Sequence, residues 1–159
     1  PPPPPPPPPP FPSRSRHTRS VVVTGSDVCS SDLDLSVDTT LDVEKIIVPS
    51  MIVQIPVENA IKHGLAGMEG EKRLEISVMP EGNGVRIMIA DNGRGYLPQV
   101  MSPTRGTGTG LKVLYQTIQL LNAKNKGEKI RFEITNLADG MRTGTGVSVY
   151  IPCNYSYDL

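Results

Sequence analysis

An α+β two-layer sandwich is the fold the sequence predicts. Three observations predict it. Apolar and polar residues alternate at 73–79, 129–135 and 147–151, the period of half-buried strands, and 85–90 is a strand apolar on both faces. Turn residues Glu81-Gly82-Asn83-Gly84 join the first two strands as a hairpin. Apolar residues at helical spacing fill 111–122, and a second helical stretch precedes the hairpin. The order helix, hairpin, loop, helix, strand, strand lets the helices cover one face of a sheet.

Taken in order, Leu35-Ser36-Val37 reads as the remnant of a strand. Ile46-Ile47-Val48 is a short apolar run stopped by Pro49. Ser50 is a candidate N-cap for a helix over 51–64, and Gly64 a candidate C-terminal cap. Pro56 inside that helix lacks a backbone donor and predicts a kink or a late start. In the hairpin, Leu74, Ile76 and Val78 alternate against Glu75 and Ser77. Ile87, Met88 and Ile89 are apolar on both faces, so the second strand is the more central. Residues 91–110 are rich in Gly and Pro without a period, a long loop of the functional kind. Leu111, Leu114, Tyr115, Ile118 and Leu121 share one face of the next helix. Residues 139–146 join the last two strands, and Pro152 closes the second.

The N-terminus reads differently. Of 17 prolines, 11 lie in the first 12 residues. Such a tract could be a polyproline II arm. The residues after it argue otherwise. Ser26-Asp27-Val28-Cys29-Ser30-Ser31-Asp32-Leu33 back-translates to the inner end of a common short-read sequencing adapter. Val23-Thr24-Gly25 fits the adapter stretch before it, and Arg16-His17-Thr18-Arg19 its outer end. Poly-C from empty base calls gives polyproline. Residues 1–33 are therefore expected to be translated adapter without structure, and are set aside from fold reasoning. The domain is expected in residues 34–159, truncated at its start.

Charge is balanced, at 16 Lys+Arg and 16 Asp+Glu, which removes a nucleic-acid footprint and a polybasic membrane patch. No apolar run reaches the ~18 residues of a spanning helix. Past residue 33, Cys153 and His63 are each alone, which excludes a disulfide framework and a zinc site and fits a reducing compartment.

Three clusters can carry chemistry. Asn59, Lys62 and His63 stand at i, i+3 and i+4, one stripe of an α-helix able to hold a metal ion and phosphate oxygens, or simply a solvated face. Asp91-Asn92-Gly93-Arg94-Gly95 follows the central strand. A carboxylate there can accept from an exocyclic amine while glycines admit a flat ring; the plain alternative is a turn. Gly106-Thr107-Gly108-Thr109-Gly110-Leu111 opens a helix, a backbone cradle for phosphates or a flexible linker. No Gly-Lys-Ser/Thr comes after it, so it is not a Walker loop, and no strand leads into it, so it is not a dinucleotide fingerprint.

In this order and on these elements, the set resembles the ATP-binding domain shared by sensor histidine kinases, gyrase, heat-shock-90 chaperones and mismatch-repair ATPases (the Bergerat, or GHKL, fold). Val57-Glu58-Asn59-Ala60-Ile61-Lys62-His63-Gly64 resembles its asparagine box. The Asp91 and Gly106 clusters resemble its two glycine boxes, and Gly144-Thr145-Gly146 its terminal Gly-Thr element. The spelling from Gln54 to Gly64 is most similar to LytS-like bacterial sensor kinases.

The resemblance implies a mixed sheet, the cofactors ATP and Mg²⁺, and roles for matching positions. Asn59 would ligate Mg²⁺, Lys62 would contact a phosphate, and His63 would line that side. Asp91 would accept the adenine amino group. Gly93 and Gly95 would admit the base and hinge a lid over 96–107. Gly106, Gly108, Gly110 and Leu111 would face the phosphates, and Thr145 would complete the adenine pocket. Implied partners are the protein's own dimerisation and phosphoacceptor domain, upstream of residue 34, and a response regulator, with no nucleic acid and no direct membrane contact. The whole protein would be a homodimer anchored in the bacterial inner membrane, this domain being cytoplasmic.

One position departs from the family's ATPases. Where they carry a Glu one turn before the metal-binding Asn, as general base for water, this chain has Ile55. Fast ATP hydrolysis is not expected. Two other readings share the motifs: an anti-sigma-type serine kinase of the same fold, and a non-catalytic pseudokinase that binds nucleotide.

Overall fold

The computed structural model describes residues 18–24, 31–38, 40–95, 108–137 and 143–157. Six strands form one sheet: β1 (Thr18–Thr24), β2 (Ser31–Asp38), β3 (Lys72–Glu81), β4 (Gly84–Asp91), β5 (Arg131–Asn136) and β6 (Thr145–Pro152), in spatial order β1-β2-β3-β4-β6-β5. All neighbours are antiparallel except β2 and β3, so the sheet is mixed. Helices α1 (Gln54–Asn59) and α2 (Gly108–Lys124) complete the second layer. The predicted α+β two-layer sandwich is the observed one. Among the described residues no helix is long and apolar enough to cross a membrane.

Register explains the layering. Ile87 and Ile89 of β4 pair with Val78 and Ile76 of β3 and with Val149 and Val147 of β6. With period-two alternation these side chains share one face. They meet Leu111, Leu114, Ile118 and Leu121 of α2 and Ile52 and Ile55 of the α1 region in a single core. The opposite face carries Arg86, Tyr150 and Arg131, in register with one another, and Ser148 two residues along β6. As predicted, β4 is central and buried along nearly its whole length. Tyr115 lies at the helix edge, 40% exposed, with its ring edge-on to Phe132 at 5.1 Å.

Three local readings are corrected, and one of two stated alternatives, the late helix start, is selected. Ser50 does not cap α1; Val53 occupies the cap position, without a side-chain bond. The helix starts late, placing Pro56 third in it, and the missing N–H leaves a gap between the bond of Ile55 to the Met51 carbonyl and that of Val57 to the Val53 carbonyl. From Ala60 to Gly64 the chain widens into a π-helical turn, closed by the Leu65 N–H on the Ala60 carbonyl at 2.8 Å. Residues 18–24 and 31–33, expected to lack structure, form β1 and the start of β2. Val21-Val22-Val23 is a β-branched run, and β2 lies along the edge that β3 presents.

The chain also continues usefully past Pro152. Tyr155 donates its hydroxyl to Asn122 Oδ1 at 2.7 Å, Ser156 and Asn125 exchange two bonds, and Tyr157 donates to the Ile47 carbonyl at 2.7 Å. This strap fastens the end of α2 to the segment before α1.

Candidate nucleotide site

The site is built around the end of β4. Asp91 is the last ladder residue there and is only 6% exposed. Its Oδ1 accepts the Gly93 N–H at 2.8 Å and the Thr145 N–H at 3.3 Å, and the Thr145 side chain also bonds the carboxylate. No Lys or Arg among the described residues pairs with it. Burial pushes the Asp91 carboxyl above its ordinary range, and the bonds from Gly93 and Thr145 pull it part of the way back.

Three glycines let backbone close around this carboxylate. A Cβ on Gly64 would stand 2.8 Å from Asp91 Oδ1, and one on Gly93 would overlap the Gly64 carbonyl. Gly144, at φ 152°, lies so near that a Cβ would overlap the Asp91 carbonyl oxygen. The asparagine-box segment, the first glycine box and the Gly-Thr element thus meet at one point. Gly95, at φ 84°, sits close by, where a Cβ would meet Asn136 Oδ1 at 3.1 Å.

The first cluster differs in detail from its expected geometry. Asn59, Lys62 and His63 do share the segment that ends on Asp91, but α1 stops at Asn59 and the π turn rotates the residues beyond it. Lys62 pairs instead with Glu58, four residues back, at 2.8 Å, and Gln54 bonds the same carboxylate at 2.8 Å. These bonds hold the Glu58 carboxyl below its ordinary range. Asn59 is half-buried, and its side chain makes no capping bond to the π turn that it precedes. His63 is exposed. Ile55 is buried in the core, and a Cβ on Gly110 would touch it at 3.5 Å, so α1 packs on the first turn of α2.

Gly108 and Gly110 lie in that first turn, at the positive end of a 17-residue helix. The Leu111 side chain is turned into the core, which leaves only its backbone for a ligand. Gly106 and the lid over 96–107 fall outside the described residues. No group of three or more His, Cys, Asp or Glu among the described residues could cage a metal. Mg²⁺ needs no such cage, since it takes one or two protein oxygens and fills its shell with water and phosphate. The uncapped amide of Asn59 fits that role.

Sequence reasoning missed Gly64 and Gly144 as walls of the Asp91 site and Asn92 as a structural clamp. The spacing of glycines around Asp91 was the available signal; which of them pack together depends on tertiary contacts.

At the end of a central strand, a buried carboxylate thus stands against the glycine of an asparagine-bearing turn, with no cation paired to it among the described residues. Residues 46–154 match the family model described as "Histidine kinase-, DNA gyrase B-, and HSP90-like ATPase", and the chain belongs to this family. Among curated relatives, it is 34% identical over 110 residues to the sensor histidine kinase YpdA of Escherichia coli (strain K12), covering 66% of this chain and 18% of that protein. It is 30% identical over 128 residues to the sensor protein LytS of Bacillus subtilis (strain 168), covering 76% and 20%. The chain thus spans about a fifth of the length of these relatives. The blue-light activated histidine kinase of Erythrobacter litoralis EL346 shares the fold, with a TM-score of 0.52 at 20% identity over 81% of this chain and 36% of that one.

Proposed function

We propose that this chain contains the catalytic ATP-binding domain, residues 34–159, of a two-component sensor histidine kinase. It binds ATP with Mg²⁺ and presents the γ-phosphate to a His on a separate dimerisation domain, for relay to an Asp of a response regulator. Residues 1–33 are read as translated adapter. The observation that carries the proposal is Asp91, buried with hydrogen bonds to backbone and Thr145 but no cation among the described residues. A charge so placed is costly unless a ligand uses it.

The chemistry rests on the side chains. Asp91 accepts the exocyclic amine of adenine; guanine presents a carbonyl at that point and is repelled. Thr145, bonded to the same carboxylate, completes the pocket, and Gly93 and Gly95 leave room for the ring. Lys62 moves its ammonium from Glu58 to a phosphate, and His63 lines that side. The N–H groups of Gly108, Gly110 and Leu111 at the start of α2 face phosphate oxygens with the helix dipole behind them, and Gly106, two residues earlier in the sequence, adds another. Asn59 would hold Mg²⁺, which supplies charge neutralisation on the polyphosphate when bound. Catalysis rests on positioning and charge stabilisation. Ile55, apolar and packed on Gly110, offers no base to water, so the phosphoryl group is kept for transfer.

The test is calorimetric titration of the 159-residue chain with ATP, with and without Mg²⁺, and with GTP as control. Selective, Mg²⁺-assisted ATP binding with little hydrolysis is expected. No binding, or equal binding of GTP, would overturn the proposal.

A further inference from the structure

After Asp91 the main chain leaves the β3 ladder and turns toward Gly64, where the Arg94 N–H meets the Gly64 carbonyl at 3.3 Å. Such a departure would strip partners from the backbone at the start of β3. The side chain of Asn92 supplies them. Its Oδ1 accepts the Arg73 N–H at 2.7 Å, its Nδ2 donates to the Glu71 carbonyl at 2.9 Å, and its own N–H donates to the Arg73 carbonyl at 3.2 Å. A carboxamide has the donor and acceptor of a peptide group, so Asn92 acts as a surrogate rung. It ends the ladder at one defined residue, the one before it.

We propose that Asn92 is a positioning residue for adenine selection, acting through Asp91. The inference rests on the nucleotide reading above. Three bonds fix Asn92 directly after Asp91, and the next residue, Gly93, bonds Asp91 Oδ1 with its N–H. With the rung lost, water can satisfy the exposed groups of β3, so the fold survives. The turn that aims Asp91 is then no longer tied to β3.

The test uses the full chain as wild type, Asn92→Ala, Asn92→Asp, Asp91→Ala and the double variant Asp91→Ala/Asn92→Ala, each titrated with Mg·ATP and Mg·GTP. Asn92→Ala is expected to weaken ATP by about tenfold and leave GTP unchanged. In the Asp91→Ala background the same change should add less than about twofold, as for two residues acting through one contact. Asn92→Asp keeps the acceptor for Arg73 and should recover part of the loss. If Asn92→Ala does not fold by circular dichroism, Asn92→Asp carries the test with a smaller, ATP-only loss. Equal losses for ATP and GTP, or additive losses in the double variant, would overturn the proposal. Wild type that does not select ATP would overturn the adenine reading itself, a failure visible without any substitution, and this inference would fall with it.

Discussion

Glu81 and Asp91 are ten residues apart in one hairpin, yet their surroundings push them in opposite directions. Glu81 ends β3 on the open face of the sheet. Arg86 grips it through Nε and through Nη2, the latter at 2.6 Å, and Arg131 approaches to 3.4 Å. Arg86 also reaches Ser148 at 2.6 Å, and Arg131 lies over the Tyr150 ring at 4.2 Å. The bond from Arg86 holds the Glu81 carboxyl below its ordinary range. Asp91 ends β4 on the helix-covered face, with backbone and Thr145 donors but no cation among the described residues, and burial holds it above. On the proposed reading, the carboxylate that serves the sheet has its counter-ion, and the one that serves the ligand has none among the described residues.

Several substitutions would break or sharpen that contrast. The largest effect is expected at Gly144. Gly144→Ala drives a methyl into the Asp91 carbonyl at a φ that side chains disfavour, and should cost about 3 kcal/mol in urea unfolding. An effect below about 1 kcal/mol would mean the wall around Asp91 is loose. Next is Asp91→Ala, which should cost about 2 kcal/mol of ATP affinity, roughly thirtyfold, while sparing GTP. Parallel losses for both nucleotides would place the adenine elsewhere. Asn59→Ala should remove the Mg²⁺-dependent part of ATP binding and leave the circular dichroism unchanged; an intact Mg²⁺ response would sink its role as ligand.

The smallest effects concern pH. Because the folded pKa of Glu81 is lowered, its contribution is present above the ordinary value of 4.5 and is lost as pH falls below it. Glu81→Gln should therefore destabilise at pH 7 by at most about 1 kcal/mol, given a side chain 35% exposed, with the gap closing in acid. Asp91 has the reverse sign. Its folded pKa is raised, so the fold gains from it below the ordinary 3.8 and loses that gain as pH rises. Asp91→Asn should thus raise Tm at pH 7, an advantage that vanishes in acid, while costing ATP selection. A lower Tm at pH 7 would remove burial as the dominant cause.

Much of this was legible in the sequence. Strand periodicity marked β3, β5 and β6, the apolar run after the turn residues marked β4, and Leu111, Leu114, Ile118 and Leu121 marked the inner stripe of α2. Asp91 was legible as the polar residue ending the most apolar strand. The late start of α1 was half legible through Pro56. The π turn was not, since it arises where Gly64 must press against Asp91, a tertiary demand. Lys62 and Gln54 each stand four residues from Glu58, the helical spacing at which both bond its carboxylate. The tyrosine strap after Pro152 depends on Asn122 and Asn125, which helical reading treats as an ordinary polar edge.

The most direct test is to track the carboxyl carbons of Asp91 and Glu81 by NMR through a pH titration, alone and with ATP or GTP. In the free protein Glu81 should titrate below 4.5 and Asp91 above 3.8. ATP should lower the Asp91 value, because the adenine amine bonds the charged form, while GTP leaves it unchanged. An Asp91 that titrates below its ordinary value, or that does not respond to ATP, would contradict the claim that its burial without a cation is the basis of adenine recognition.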